Sequence, residues 1–257
     1  MGGNARESGR TSSSRLFALL DAFASGPPTM SLTELATKSK LPVSTAHRLL
    51  GELCEWEALE RNDDGRYQIG GRLWQIGSLA PRYRTLRATA VPYMEDLYEI
   101  THENVALAVR DGKRALYLDN ISGRRSSGPP RPVGHRTPLH ATAVGKVMLA
   151  FSEPELLNSL LKHRLHRCTR YTITTRAKLI EEVDRTRETQ VGYSIQEMVL
   201  GRTAVAAPIL GINGVLIAVL TIVSRPSNDL TRLAPAVRAA AGAVSRQLTE
   251  RYISAVS

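Results

Sequence analysis

Three stretches of this 257-residue chain carry side chains able to do chemistry. The first is Pro42-Val43-Ser44-Thr45-Ala46-His47-Arg48, which crowds two hydroxyls, an imidazole and a guanidinium into the front of one short run. Ser and Thr hydroxyls pair with bases or phosphates, and Arg pairs bidentately with guanine. The second is Thr142-Ala143-Val144-Gly145, where small residues let backbone approach a bound molecule closely. A helix starting at Thr142 would offer free N–H groups to an anion such as a carboxylate. The third is His163-Arg164-Leu165-His166-Arg167-Cys168, whose two imidazoles and thiol are zinc-ligand types. Its interleaved arginines repel a cation and no carboxylate is near in sequence, so no metal is expected there. No Gly-x-Ser-x-Gly, His-Glu-x-x-His or phosphate-cradling glycine run occurs. Catalysis and a bound cofactor are therefore not expected.

The elements that would position the first stretch are legible. Ser12 to Phe23 has apolar residues at helical spacing and is stopped by Gly26-Pro27-Pro28. Ser31-Leu32-Thr33-Glu34 is a capping box that opens a second helix to about Lys38. Pro42 suits the first turn of a third, which runs to about Trp56 with apolar residues at 46, 49, 50 and 53. Two short helices joined by a tight turn make a helix-turn-helix, whose second helix presents its front edge to the major groove. Ala58 to Arg61 and Arg66 to Ile69 flank Asn62-Asp63-Asp64-Gly65, a hairpin signal that adds a wing. Candidate DNA contacts are thus Val43, Ser44, Thr45, His47 and Arg48, with Ser31, Thr33 and Lys40 in the preceding helix and turn and Arg66 in the wing. A further helix, Leu73 to Leu79, ends before Pro81. Arg82, Arg84 and Arg87 are candidates for added backbone contacts.

Charge bounds the reading. The net charge is +10, yet residues 1–81 hold nine basic and nine acidic side chains, so residues 82–257 carry the whole excess. Residues 36–50 contain Lys38, Lys40 and Arg48 with no carboxylate, which leaves a locally positive face. Two cysteines exclude a disulfide scaffold, and no apolar run is long enough for a membrane helix. With no secretory signal at its start, the chain reads as cytoplasmic.

The rest of the chain suggests an α+β domain with an antiparallel sheet. A helix from Arg82 to Ile100 is interrupted near Pro92. Val105 to Val109 and Ala115 to Leu118 read as strands, and residues 123–132 as a Gly/Pro/Arg loop. That loop holds Arg124, Arg125 and Arg131, more in keeping with solvated charge than with an anion clamp. Helices follow at 142–151, 153–162 and 176–189, then a hairpin of 204–210 with 215–223, then a helix from 232 to 251. The expected divisions are a disordered 1–11, a winged helix-turn-helix at 12–81, a linker helix at 82–101 and a sensor domain at 102–257.

Three blocks in this order resemble one family. Ser31 to Ala36 with Leu41 to Leu50, Gly134 to Ala150, and Gly192-Tyr193 with Glu197, Gly201 and Val205 to Ile209 look like the IclR-type bacterial transcriptional regulators. The resemblance implies a winged helix-turn-helix joined to a GAF-like domain that binds a small organic or aromatic acid. It also implies homodimers, often paired into tetramers, on a palindromic operator in double-stranded DNA. Carried over residue by residue, it makes Ala143 and Val144 pocket residues beside Thr142 and Gly145. It adds Ser194, Glu197, Ala204, Thr221, Ile222 and Ser224 as effector contacts. Ala204 stands where many members have a cysteine, and Arg225 replaces an expected glycine. The Thr221 to Pro226 run also has fewer hydroxyls than usual, which favours an aromatic or bulkier acid over a two- or three-carbon one. Lys146 reads as a surface or salt-bridge lysine. A ligand-sensing or protein-interaction module without specific DNA readout is the competing reading.

Overall fold

The computed structural model describes residues 11–24, 26–123, 126, 128 and 130–256. The expectations for the first ten residues and for Arg124 and Arg125 therefore lie outside the described residues. Contacts divide the chain into two units, one ending at Pro81 and the other beginning at Arg82.

In the first unit, α1 (Ser12–Ala24), α2 (Leu32–Ser39) and α3 (Val43–Glu55) pack around Leu19, Leu35, Ala46, Leu49 and Leu50. The capping box forms, with Ser31 N–H donating to Glu34 Oε2 at 2.7 Å and Glu34 N–H to Ser31 Oγ at 3.3 Å. Lys40 closes α2 in the left-handed region at φ 56°, so its N–H turns back onto the last helical carbonyls. That single residue makes the turn tight. Strands β1 (Leu59–Arg61) and β2 (Tyr67–Ile69) form the wing, reversed at Gly65 with φ +70°. Met30 adds a bridge to Tyr67, making the wing effectively three-stranded at its base. Helix α4 (Gly71–Ser78) follows and buries none of its residues.

The second unit opens with α5 (Pro81–Thr101), which continues through Pro92 where an interruption was expected. Proline removes one helical hydrogen bond. Here Leu86, Ala90, Met94 and Leu97 hold both halves against the sheet, so the helix does not break. Six antiparallel strands follow in the order β5-β4-β3-β8-β7-β6. They are β3 (Asn104–Asp111), β4 (Arg114–Ile121), β5 (Arg136–Pro138), β6 (Gly192–Ile195), β7 (Thr203–Leu210) and β8 (Leu216–Ser224). On one face lie α5 and α9 (Leu230–Val256), packed on Val105, Leu107, Val205, Leu220 and Ile222. On the other lie α6 (Ala143–Ala150), α7 (Pro154–Leu161) and α8 (Arg176–Thr189), packed on Ala106, Ala108, Ala206 and Val219. The sheet is thus sandwiched between two helical layers. Among the described residues no helix is long and apolar enough to cross a membrane.

Candidate nucleic-acid interface and ligand pocket

Helix α3 buries Ala46, Leu49, Leu50 and Leu53 on one side. The 3.6-residue period then leaves Val43, Ser44, His47 and Arg48 exposed together, with Thr45 half-buried beside them. This is the front edge that would enter a groove. Arg48 pairs with Glu52 one turn along, with both side chains about half exposed or more. Thr33 and Lys40 are also exposed, while Ser31 is half-buried and its hydroxyl serves the capping box. Arg66 is likewise engaged at home: its Nη2 donates to Glu34 Oε2 at 2.6 Å and to the Thr29 carbonyl at 3.3 Å, tying the wing to α2. Hydrogen bonds from Ser31, and to a lesser degree the nearby Arg66, hold the Glu34 carboxyl below the usual range against an opposing effect of desolvation. Arg87 pairs with Asp119 at 2.9 Å, and nothing is described of the Arg82 side chain.

In the second unit a partly open cavity lies between the start of α6 and strands β3, β4, β7 and β8. Thr142 is the N-cap of α6: its hydroxyl accepts from Gly145 N–H at 3.0 Å and donates to the Pro138 carbonyl at 3.2 Å. The N–H groups of Ala143 and Val144, at the first turn, have no acceptor within the helix and face the end where the macrodipole favours an anion. Thr142, Ala143, Val144, Ser194, Ala204 and Thr221 all line the cavity, as expected from the sequence.

Four expected residues do not. Gly145 is packed against the chain before α6, where a Cβ would stand 2.1 Å from the Leu139 carbonyl oxygen. Ile222 points into the opposite layer with Val205, because neighbouring residues of a strand face opposite ways. Ser224 is fully buried and bonded to Thr203 at 3.2 Å. Glu197 binds the Lys146 ammonium at 2.7 Å instead of facing the cavity. Lys146 is no surface residue, being only 1% exposed.

The sequence reading missed the cavity's cations. Arg131 and Arg202 both line it, together with Asn104, Tyr117 and Asn120, and no Asp or Glu lines it among the described residues. Asn120 Nδ2 donates to the Arg131 carbonyl at 3.0 Å, which fixes the backbone of that arginine. Burial, and then the Arg131 charge, lower the proton affinity of Arg202. Burial and Arg131 likewise lower that of His135, while burial pushes the Tyr117 phenol up. A carboxylate between the two guanidiniums would relieve this repulsion. Arg131, read from the sequence as solvated charge and not as an anion clamp, is thus corrected to a cavity residue, and Arg202 had no pattern to mark it, since each sits in an aperiodic segment. Apolar walls from Ala106, Val144, Met198, Val199 and Val223 complete the cavity.

The stretch from His163 to Cys168 forms a surface turn in which His140 Nε2 meets the His166 carbonyl at 2.8 Å and the Cys168 N–H donates to Thr172. Among the described residues no group of three His, Cys, Asp or Glu is placed to hold a metal.

The profile of the family described as "Bacterial transcriptional regulator IclR C-terminal" matches residues 82–246, and that of the "IclR helix-turn-helix domain" matches residues 12–63. The chain is 31% identical over 193 residues to the HTH-type transcriptional regulator KipR of Bacillus subtilis, covering 75% of this chain and 77% of KipR. It is also 31% identical over 193 residues to the transcriptional repressor IclR of Escherichia coli, covering 74% and 70%. A crystal structure of an IclR homolog from Microbacterium hydrocarbonoxydans, complexed with 4-hydroxybenzoate, superposes with a TM-score of 0.86 at 27% identity, over 93% of this chain and 99% of that one. The Thermotoga maritima IclR structure gives 0.72 at 28% identity, over 91% and 97%. A helix-turn-helix in one unit, an arginine-lined cavity in the other and both domain matches in the same order place this chain in the IclR family of DNA-binding transcriptional regulators, a family of regulators and not of enzymes.

Proposed function

We propose that a small aromatic or similarly bulky organic acid, held in the second-unit cavity, sets the affinity of this regulator for a palindromic operator. The observation that carries the reading is a cavity with two arginines, no acidic lining residue among the described residues and a largely apolar wall. A carboxylate would meet Arg131, Arg202 and the first turn of α6, and a ring would lie against Val144, Met198 and Val223. A relative crystallised with 4-hydroxybenzoate supports the same chemical class.

Val43, Ser44, Thr45, His47 and Arg48 would read base edges, while Thr33 and Lys40 would meet phosphates. A palindrome needs two reading helices about one turn of DNA apart, so the working species is a homodimer or larger. The apolar side chains of Phe17, Trp74, Ile76 and Leu79, all at least half exposed, give two copies something to bury. Acting on DNA in a bacterial cell, the protein would work in the cytoplasm. Control then requires that the acid bind two arrangements of the dimer with different affinity. Helix α5, which leads from one unit into the other, is where such a difference would be carried.

Isothermal titration calorimetry with benzoate, 4-hydroxybenzoate, glyoxylate and pyruvate tests the ligand class. The aromatic acids should bind, and Arg131→Ala should weaken them by roughly 1.5–3 kcal/mol, as expected for hydrogen bonds to a charged group. Tight binding of glyoxylate or pyruvate alone would overturn the reading.

A further inference from the structure

Lys146 and Glu197 form a buried charge pair beside the ligand cavity that neither wall of that cavity uses. Lys146 lies one turn into α6, behind Thr142, Ala143 and Val144, and its own N–H donates to the Thr142 carbonyl at 3.0 Å. Glu197 belongs to residues 196–202, an arch between β6 and β7 that brings Met198, Val199 and Arg202 to the cavity. The arch starts in the left-handed region at Gln196, φ 54°, and is closed at its base by Gln196 N–H to the Arg202 carbonyl at 2.9 Å. Thr172 Oγ1 donates to the Glu197 carbonyl at 2.6 Å. The Glu197 carboxylate accepts from the Lys146 ammonium at 2.7 Å, and from the Ile195 N–H at 3.4 Å. Lys146 reaches a second acid, Glu182 of α8, at 3.3 Å. Lys146 and Glu197 are 1% and 6% exposed, so neither charge is relieved by water.

We infer that Lys146 is a positioning residue: as the counter-charge of Glu197 it keeps the 196–202 arch seated on α6, and so places Arg202 and Met198 at a cavity that Lys146 never touches. Breaking a buried pair from one side leaves an uncompensated charge, which is far worse than removing both. Without the ammonium, the Glu197 carboxylate would turn toward the open pocket that it and Lys146 line together, and the arch that carries it would loosen. The charge pair thereby couples two walls of one site. For its effect on ligand affinity the inference rests on the acid-pocket reading, but the arch itself is tested in the ligand-free chain.

Titration supplies a signature that packing would not. Burial is the largest influence on Glu197 and raises its proton affinity, Lys146 opposes it, and Glu182 adds a smaller rise. Without Lys146 the closed arch would bind the Glu197 proton more tightly than an open one, so in Lys146→Met acidification through that range favours closure. Other ionisable groups around the pair are Arg185 of α8, Tyr193 of β6, Tyr171 and Asp229. His140 also feels the Lys146 charge, and its own proton affinity is lowered, first by burial.

Hydrogen exchange of the full-length, ligand-free protein measures the arch through the amides of Ile195, Gln196 and Gly201. In Lys146→Met at neutral pH their protection should fall at least about tenfold, while β7 and β8 hold theirs. Mild acid should restore it, and so should adding Glu197→Gln at neutral pH, where His140 is unchanged. Wild-type arch protection in Lys146→Met would overturn the inference. So would a loss that neither acid nor the second substitution repairs, because that marks missing packing. If Lys146→Met does not fold, Lys146→Met with Glu197→Gln decides: a folded double variant with near wild-type arch protection supports the assignment, and a double variant that stays unfolded or keeps the arch open refutes it.

Discussion

Arg48 can pair with Glu52 on its own helix or with a guanine edge, and the energies differ. An exposed pair one helical turn apart is worth about 0.3–0.5 kcal/mol, whereas a bidentate base contact is worth about 1–3. On these figures the internal pair would give way to a base contact. Arg48→Ala should cost operator binding about 1–3 kcal/mol by fluorescence anisotropy while leaving ligand affinity as it was. Ala143→Phe should do the reverse, since Ala143 is 1% exposed at the cavity edge and a ring there occupies ligand space. Calorimetry should show no acid binding in that variant, with ligand-free operator binding retained. At this scale the sequence was uneven. Ser44 and Arg48 stood out because a helix period sorted them from Leu49 and Leu50. Arg131 and Arg202 did not, because a loop and an arch have no period and only the fold brings them together.

Helix α6 shows how an element fixes a site. Its all-buried run from Ala143 to Ala150 lets it lie against the sheet, and Gly145 lets it close on Leu139. Gly145→Ala should destabilise the second unit by about 1–3 kcal/mol, because the added methyl meets backbone and not a pliable side chain. Thermal unfolding followed by circular dichroism checks this; an unchanged midpoint would mean the chain before α6 moves freely. The helix-turn-helix was readable from Ser31, Glu34 and Pro42, whose chemistry is local. The phase of β8 was not. Its Leu216 to Ser224 run is apolar on both sides, buried under helices on each, so no alternation marks Thr221 and Val223 as cavity residues and Ile222 as their opposite. Pro92 misled for a related reason: tertiary packing around Ala90 and Met94 outweighed a local breaker.

The whole molecule separates its tasks by unit. A charge-balanced N-terminal third carries the helix-turn-helix, and the basic remainder encloses a cavity lined by two arginines. Net charge alone would have assigned the DNA contacts to the wrong part of the chain. The two-unit plan and the family followed from blocks of sequence far apart, each interpretable by itself, whereas the cavity's electrostatics needed the folded chain. Linkage joins the tasks: a ligand that shifts operator affinity must itself bind differently when the operator is present. The direct measurement is operator affinity by fluorescence anisotropy, on DNA from upstream of the protein's own gene, with and without a saturating aromatic acid that calorimetry has shown to bind. The account predicts that the acid changes the dissociation constant by at least about fivefold, and that Arg131→Ala with Arg202→Ala removes the change without altering ligand-free binding. The same dissociation constant with the cavity full and empty would contradict it.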